Sequence, residues 1–201
     1  ANAGSRQVRR LSRRQKDRVL HTLIEKLKEK KSELLIANQR DLDAFKVSPK
    51  FSEALFDRLK LSEKRIESMI ESISVIVSFS DPIGEVVEER SLKNGLQLRS
   101  VRDNFGVLFF IFEARPNVIT EAFSLAFKAG NAIVFRNGSE AKHSSQFLYS
   151  LIEESLVICA APPAAAKGLM DCSYDDAKWI MQQEKLVDLV IPRGGEKLIE
   201  S

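Results

Sequence analysis

Cysteine and histidine are scarce in this 201-residue chain, which has two of each. Cys159 and Cys172 are too few for a disulfide framework or a thiolate zinc site, and His21 and His143 lie far apart, so no metal-ligand cluster is expected. A reducing, cytoplasmic compartment follows as the expectation. No apolar run approaches the ~18 residues of a membrane span, and the basic stretch Ala1 to Arg10 lacks the apolar core of a signal peptide behind it. Three short signatures are missing as well: G-x-G-x-x-G, G-x-x-x-x-G-K-[ST] and G-x-S-x-G. An ordinary dinucleotide fingerprint, a P-loop and a hydrolase nucleophile elbow are thereby excluded.

The composition that remains is that of a globular protein, 44% hydrophobic and 29% charged, long enough to bury a substantial core without staples. Charge is unevenly placed. Residues 1–31 carry 11 basic and 3 acidic side chains, whereas residues 32–201 carry 20 and 25. The basic start reads as the solvated face of an amphipathic helix, with a nucleic-acid surface as the alternative; no aromatic residue lies among these charges to stack on bases.

Residues 12–38 open on Ser12-Arg13-Arg14-Gln15, a capping-box pattern, and continue with Leu20, Leu23, Ile24, Leu27, Leu34 and Leu35 at helical spacing, with a break near Ser32. Ser62 caps a second helix striped by Ile66, Met69, Ile70, Ile73, Ile76 and Val77, which must stop before Asp81-Pro82. The first 80 residues therefore read as all-helical. From Gly84 the pattern alternates, and Asn94-Gly95 between Val86-Val87 and Leu96–Arg99 predicts a hairpin with a tight turn. Residues 106–112 form a continuous apolar run suited to a strand buried on both faces, and residues 132–135 repeat the type. A helix over residues 117–129, closed by Gly130, completes a βαβ unit. A helix over 139–157, a short apolar segment before Asp171, a helix over 175–186 and a strand over 187–191 continue the alternation. Residues 160–166 read as a low-complexity loop, and residues 194–201 as a loop entering a helix. Strands alternating with helices predict a parallel sheet wrapped by helices.

Ligands of such sheets bind at the carboxyl ends of the strands, so three segments matter: Glu113 to Asn117, Arg136 to Glu140, and Pro192 to Gly195. Free amides at the helix starts and arginine forks suit phosphate, and a nucleotide-sized anion across the three loops is the expectation. On residues alone, the reading stops at an α/β domain with a phosphate or nucleotide site.

A resemblance extends it. The stretch Ile111 to Val118, with Ala129 to Ala132, Arg136 to Ser144 and Asp188 to Gly195, resembles the gamma-glutamyl phosphate reductase family, the glutamate-5-semialdehyde dehydrogenases of the aldehyde dehydrogenase superfamily. Ala37 to Leu42, Asp57-Arg58-Leu59, Asp81 to Gly84 and Asn94-Gly95-Leu96 are similar to that family's segments in the same order, while Asp103 to Gly106 and Asn137 depart from its pattern.

The resemblance implies an α/β fold with an aldehyde-dehydrogenase-like, Rossmann-type parallel sheet, N-terminal helices and a β-hairpin, the chain ending before a catalytic domain. It implies a helical part over residues 1–80, a ribbon used in oligomerisation over 81–105, and an NADP(H)-binding part over 106–201. The implied reaction is NADPH-dependent reduction of L-glutamyl 5-phosphate to L-glutamate 5-semialdehyde with release of phosphate, in proline biosynthesis. A cytoplasmic homo-oligomer, functionally coupled to glutamate 5-kinase and without a membrane or nucleic-acid partner, belongs to the same expectation. The family's cysteine nucleophile falls outside this chain; Cys159, in an apolar context, and Cys172, flanked by Asp171, Asp175 and Asp176, read as packing or inert thiols.

Carried over by position, Arg136, Ser139 and Glu140 match the loop receiving the adenosine ribose, with Arg136 and Ser139 toward a 2′-phosphate; a capped helix start is their alternative reading. Gly194 and Gly195 match the turn beside the pyrophosphate, and Glu113, Ala114, Arg115 and Pro116 border the cofactor. Asn117 matches an asparagine that supports an oxyanion, or else is a helix cap. Arg115 binds a substrate carboxylate or pairs with Glu113. A free-standing nucleotide-binding or oligomerisation module and a basic-helix nucleic-acid adaptor are the competing functions.

Overall fold

The computed structural model describes residues 2–113 and 115–194. The expected helix entering at residue 194 and beyond lies outside them. Five helices precede the first strand: α1 (Asn2–Arg9), α2 (Arg13–Glu29), α3 (Lys31–Lys46), α4 (Glu53–Leu59) and α5 (Glu63–Ser78). Local chemistry sets their starts. Ser12 Oγ accepts the Gln15 amide while the Gln15 side chain accepts the Ser12 N–H, a complete capping box. Ser52 and Ser62 cap α4 and α5 in the same way, through the amides of Leu55 and Arg65. The stripe read over 12–38 is divided at Lys30, whose φ of −103° and ψ of 21° leave the helical region close to the expected break. The second piece runs on to Lys46, beyond the expected end, because Leu42 and Phe45 extend its buried face.

Helix α1 falls within the stretch expected to be all-helical, though no separate element was assigned to it. Its Val8 is fully buried, and at Gly4 a β-carbon would lie 2.5 Å from the Ala164 carbonyl oxygen. The low-complexity stretch, read as a loop without a role, contains a short 3-10 turn at Pro163–Ala165 that seats this helix.

Strands β1 (Val86–Ser91) and β2 (Gln97–Val101) form the expected antiparallel hairpin, exposed along its whole length. Leu92 N–H donates to the Leu96 carbonyl at 2.8 Å, leaving Lys93-Asn94-Gly95 as the loop, with Gly95 at φ +85°. Asn-Gly thus supplies the left-handed last residue of a three-residue loop instead of the centre of a two-residue turn.

The second sheet is wholly parallel, in the order β5 (Ala166–Leu169), β4 (Ala132–Asn137), β3 (Val107–Phe112), β6 (Leu189–Arg193). Central β3 is buried at every residue. Leu108, Phe110 and Phe112 join the large core formed with the N-terminal helices, α6 (Asn117–Lys128) and α7 (Lys142–Ile158), while Phe109 and Ile111 pack on Ala177 of α8 (Tyr174–Met181). Helices therefore cover both faces, as a continuous apolar strand requires. Three boundaries differ from expectation. The helix read over 175–186 stops at Met181 and gives way to turns, the last strand starts at Leu189, and the first turn of the 139–157 helix is a 3-10 turn at Ser139–Ala141.

The departing segment Asp103 to Gly106 is well tied. Asp103 pairs with Arg9, the Asn104 side-chain amide donates to the Gly130 carbonyl at 2.7 Å, and Asn131 accepts the amides of Phe105 and Gly106 at 2.8 and 3.0 Å. Among the described residues no helix is long and apolar enough to cross a membrane. The basic start is largely consumed internally: Arg13, Lys16, Lys26, Lys28, Lys30 and Lys31 all stand within 4.0 Å of a carboxylate.

Candidate functional site

Register fixes the site's frame. Phe112 lies opposite Asn137 on one side and Arg193 on the other, so Glu113, Gly138 and Gly194 leave the sheet together at its carboxyl edge. The Gly138 amide donates to the Phe112 carbonyl at 3.1 Å. The three segments expected to share a ligand thus share one edge. Ala114 and Gly195, two of the expected cofactor residues, lie outside the described residues.

Two clefts open there. One, of about 270 Å³, is lined by Glu113, Arg115, Val118, Arg193 and Gly194, with Leu55 and Arg58 of α4 above. The other, of about 560 Å³, has Arg58 and Arg115 in common with it and extends over α5 and α6 to Arg65, Met69, Asn117 and Glu121. Arg65 is neutralised by Asp57 at 3.0 Å and donates to the Lys60 carbonyl, and Arg193 stands 4.0 Å from Glu121. Arg58 and Arg115 make no hydrogen bond or ion pair among the described residues. Buried Pro116 precedes α6 without a side-chain cap, and Asn117, half-buried, is the first residue of that helix. Its side chain is unbonded among the described residues, so the amide faces the cleft uncommitted.

Arg136 lies within β4, in register with Ile111 and close enough to Cys172 to act on its thiol, whereas Ser139 and Glu140 belong to the 3-10 turn that follows the strand. The Arg136 Nε is buried without a hydrogen-bond partner among the described residues. A buried donor left unpaired costs ~1–3 kcal/mol. Ser139 is exposed, and half-buried Glu140 lies 3.6 Å from Lys50. The departure at Asn137 is accommodated: its Oδ1 accepts the Tyr149 hydroxyl at 3.0 Å, and burial pushes that phenol far above its ordinary pKa.

The start of α7, just past the Arg136 to Glu140 segment, is closed: the Asp41 carboxylate of α3 accepts the His143 and Ser144 amides, each at 2.8 Å, and the Ser144 hydroxyl at 2.6 Å. Asn38, one turn earlier, donates to the Leu59 carbonyl and to Ser144 Oγ and accepts the Leu61 amide at 2.7 Å. Asp41 and Asn38 are 2% and 1% exposed, so no ligand competes for these groups.

Cys172 is not set up as a thiolate. Burial raises the Cys172 thiol first and the Asp176 charge adds to it, against an opposing pull from Arg136; Cys159 Sγ lies 3.2 Å from Thr22 Oγ1. No group of three or more His, Cys, Asp or Glu side chains among the described residues is arranged to hold a metal.

In sequence and fold the chain is similar to known reductases. The chain is 40% identical over 199 residues to the gamma-glutamyl phosphate reductase of Desulfatibacillum aliphaticivorans and 37% identical over 191 residues to that of Geobacillus thermodenitrificans, covering 99% and 95% of itself. The crystal structure of the Thermotoga maritima gamma-glutamyl phosphate reductase superposes with a TM-score of 0.95 at 33% identity, over 99% of this chain and 48% of that one. The chain is homologous to the gamma-glutamyl phosphate reductases. It spans about half the length of these reductases, 46% and 47% of the two curated relatives. The Saccharomyces cerevisiae reductase follows with a TM-score of 0.92 at 26% identity, covering 99% of this chain and 50% of that one. A probable aldehyde dehydrogenase from Listeria monocytogenes, at 14% identity and a TM-score of 0.77, shares the fold. No protein-family model matches the chain.

Sequence reading did not single out Lys50, Arg65 or Glu121, and gave Arg58 and Asp41 no role, because each meets its neighbours from another element of the fold. Asp41 alone left a trace. Leu34, Asn38, Asp41, Leu42 and Phe45 recur at helical spacing, so two polar residues sit on an apolar stripe and demand buried partners.

Proposed function

We propose that this chain contributes the NADP(H)-binding part of an enzyme that reduces L-glutamyl 5-phosphate to L-glutamate 5-semialdehyde with release of phosphate, in proline biosynthesis. What supports the reading, beside the likeness to the reductases, is the unpartnered buried Arg136 Nε at the carboxyl edge of the parallel sheet. NADPH, when bound, supplies the hydride. Arg136 with Ser139 takes the 2′-phosphate and Glu140 accepts from a ribose hydroxyl, its charge moderated by Lys50. Gly194 and Gly195 let the backbone approach the pyrophosphate, and Glu113, Ala114, Arg115 and Pro116 border the reacting end.

Asn117 acts next. Its amide donates to the oxygen of the acyl carbon as a thiolate adds to it, stabilising the charge that develops there. That thiolate belongs to the whole reductase, since the raised Cys172 and the packed Cys159 do not supply it. The enzyme acts in the cytoplasm as a homo-oligomer joined through the exposed β1–β2 ribbon, coupled functionally to glutamate 5-kinase; Val87 and Leu98, 60% and 55% exposed, are ribbon residues available for that contact.

Titration of the chain with NADPH, followed by cofactor fluorescence, tests the cofactor assignment. Saturable binding that weakens about tenfold in Arg136→Ala is the expected result. A folded sample that binds no NADPH overturns it, and steeply salt-dependent RNA binding by that sample would turn the reading to the nucleic-acid alternative.

A further inference from the structure

We infer that the cleft between α4–α5 and the start of α6 is an amino-acid subsite, in which Arg58 and Arg115 hold an α-carboxylate and Glu121 holds the adjacent ammonium. The identity of the amino acid rests on the reductase reading above; the case for the subsite rests on the residues themselves.

Arg58 comes from α4 and Arg115 from the turn after β3, yet both line the two adjoining clefts. Neither has a described anionic partner, although the neighbouring Arg65 is fully engaged by Asp57. Two guanidinium groups directed at the same space repel one another, and an oxyanion between them removes that repulsion. Each presents a planar fork that matches a carboxylate with two parallel hydrogen bonds. Asp57 is committed to Arg65; Glu121, 4.0 Å from Arg193 at the edge of the cleft, is the carboxylate that lines the larger cleft with this pair and can turn to an ammonium there.

Spacing along α6 sets the direction of the ligand. Asn117 and Glu121 are four residues apart, one turn on the same face, and both line the larger cleft. A reacting acyl group beside Asn117 therefore leaves the α-ammonium of a short side chain near Glu121 and its α-carboxylate near the arginines. Met69, buried in α5, gives the intervening methylenes an apolar wall. A volume of about 560 Å³ accommodates a five-carbon amino acid.

The test uses the chain itself and three probes: L-glutamate, 4-aminobutyrate, which lacks the α-carboxylate, and inorganic phosphate. Proton–nitrogen shift titration reads the arginine Nε–H groups and the α6 amides. L-Glutamate is expected to shift Arg58, Arg115 and the Glu121 amide saturably, with 4-aminobutyrate weaker by about tenfold or more. Arg58→Ala, an exposed position, is expected to lose about tenfold in L-glutamate affinity while NADPH affinity moves less than about twofold; Arg58→Lys, which keeps the charge and loses the fork, falls between. Equal L-glutamate binding by wild type and Arg58→Ala overturns the subsite. Inorganic phosphate outcompeting L-glutamate at the same groups overturns it too, by giving the arginines to a phosphoryl group. A chain that binds NADPH and shows no L-glutamate shift sinks this inference and leaves the reductase reading standing, whereas failure to bind NADPH sinks that reading first.

Discussion

Helices α6 and α7 both start where a parallel strand ends, and they start differently. At α7 the amides of His143 and Ser144 are taken by Asp41, a carboxylate buried within the protein itself. At α6 there is no side-chain cap, and the residues around the start, Arg115 and Asn117, face an open cleft. The far end of α6 reverses the picture. Fully buried Lys16 bonds both Asp81 oxygens and reaches the Lys128 carbonyl at 3.3 Å, while the Lys128 ammonium pairs with Asp17 and bonds the Val77 carbonyl at 2.9 Å. One helix is thus clamped by its last turn and left free at its first, and the next is clamped at its first. A strand–helix junction is a ligand site only where the fold has not already supplied the anion.

The contrast can be broken at several places. Asp81→Ala strands the Lys16 ammonium in the core and should cost ~3–5 kcal/mol, read as a fall in the urea midpoint; a loss below ~1 kcal/mol would mean that the clamp on α6 contributes little. Asp41→Ala removes the acceptor of two buried amides and a hydroxyl and should cost ~1–3 kcal/mol, with Asp41→Asn losing less, since one amide oxygen remains. If Asp41→Ala instead bound phosphate at α7 with wild-type stability, the two starts would be equivalent after all. Arg136→Ala should leave stability within ~1 kcal/mol, because its Nε has no partner to lose, while NADPH affinity drops about tenfold.

The smallest effect concerns pH. Hydrogen bonds from Arg9, Lys31 and Ser173 hold the carboxyls of Asp103, Glu63 and Asp176 below their ordinary values. Their contribution is therefore present above the ordinary carboxylate range and is lost as pH falls through the lowered values. Thermal midpoints should stay level from about pH 7 to 5 and fall below about pH 4, with salt blunting the two exposed ion pairs and sparing the Ser173 cap. A midpoint that rose on acidification would contradict the assigned directions.

Much of this architecture was legible in the residues. Ser12 and Ser62 announced their caps, the apolar runs at 107–112 and 132–135 announced strands buried on both faces, and Gly130 announced the end of α6. The three strand-end segments were legible as a shared edge because parallel order follows from alternating strands and helices. Helix α1 was not read as a separate element, since its eight residues carry one large apolar side chain, Val8, and it packs on the turn at Pro163–Ala165 some 160 positions away.

By itself, the sequence determined the elements, their order and the residue types that reach the carboxyl edge, because caps, periodicity and glycine act within a few residues. Only tertiary structure decided which of those residues are available. Asp41 and Asn38 are spent on α7, Asp57 is spent on Arg65, and Arg58 is left facing Arg115 across a cleft, since these pairings join different elements, from eight to more than a hundred residues apart in the chain. Whether a charge is a ligand group or part of the scaffold depends on the partner that packing brings within hydrogen-bond reach.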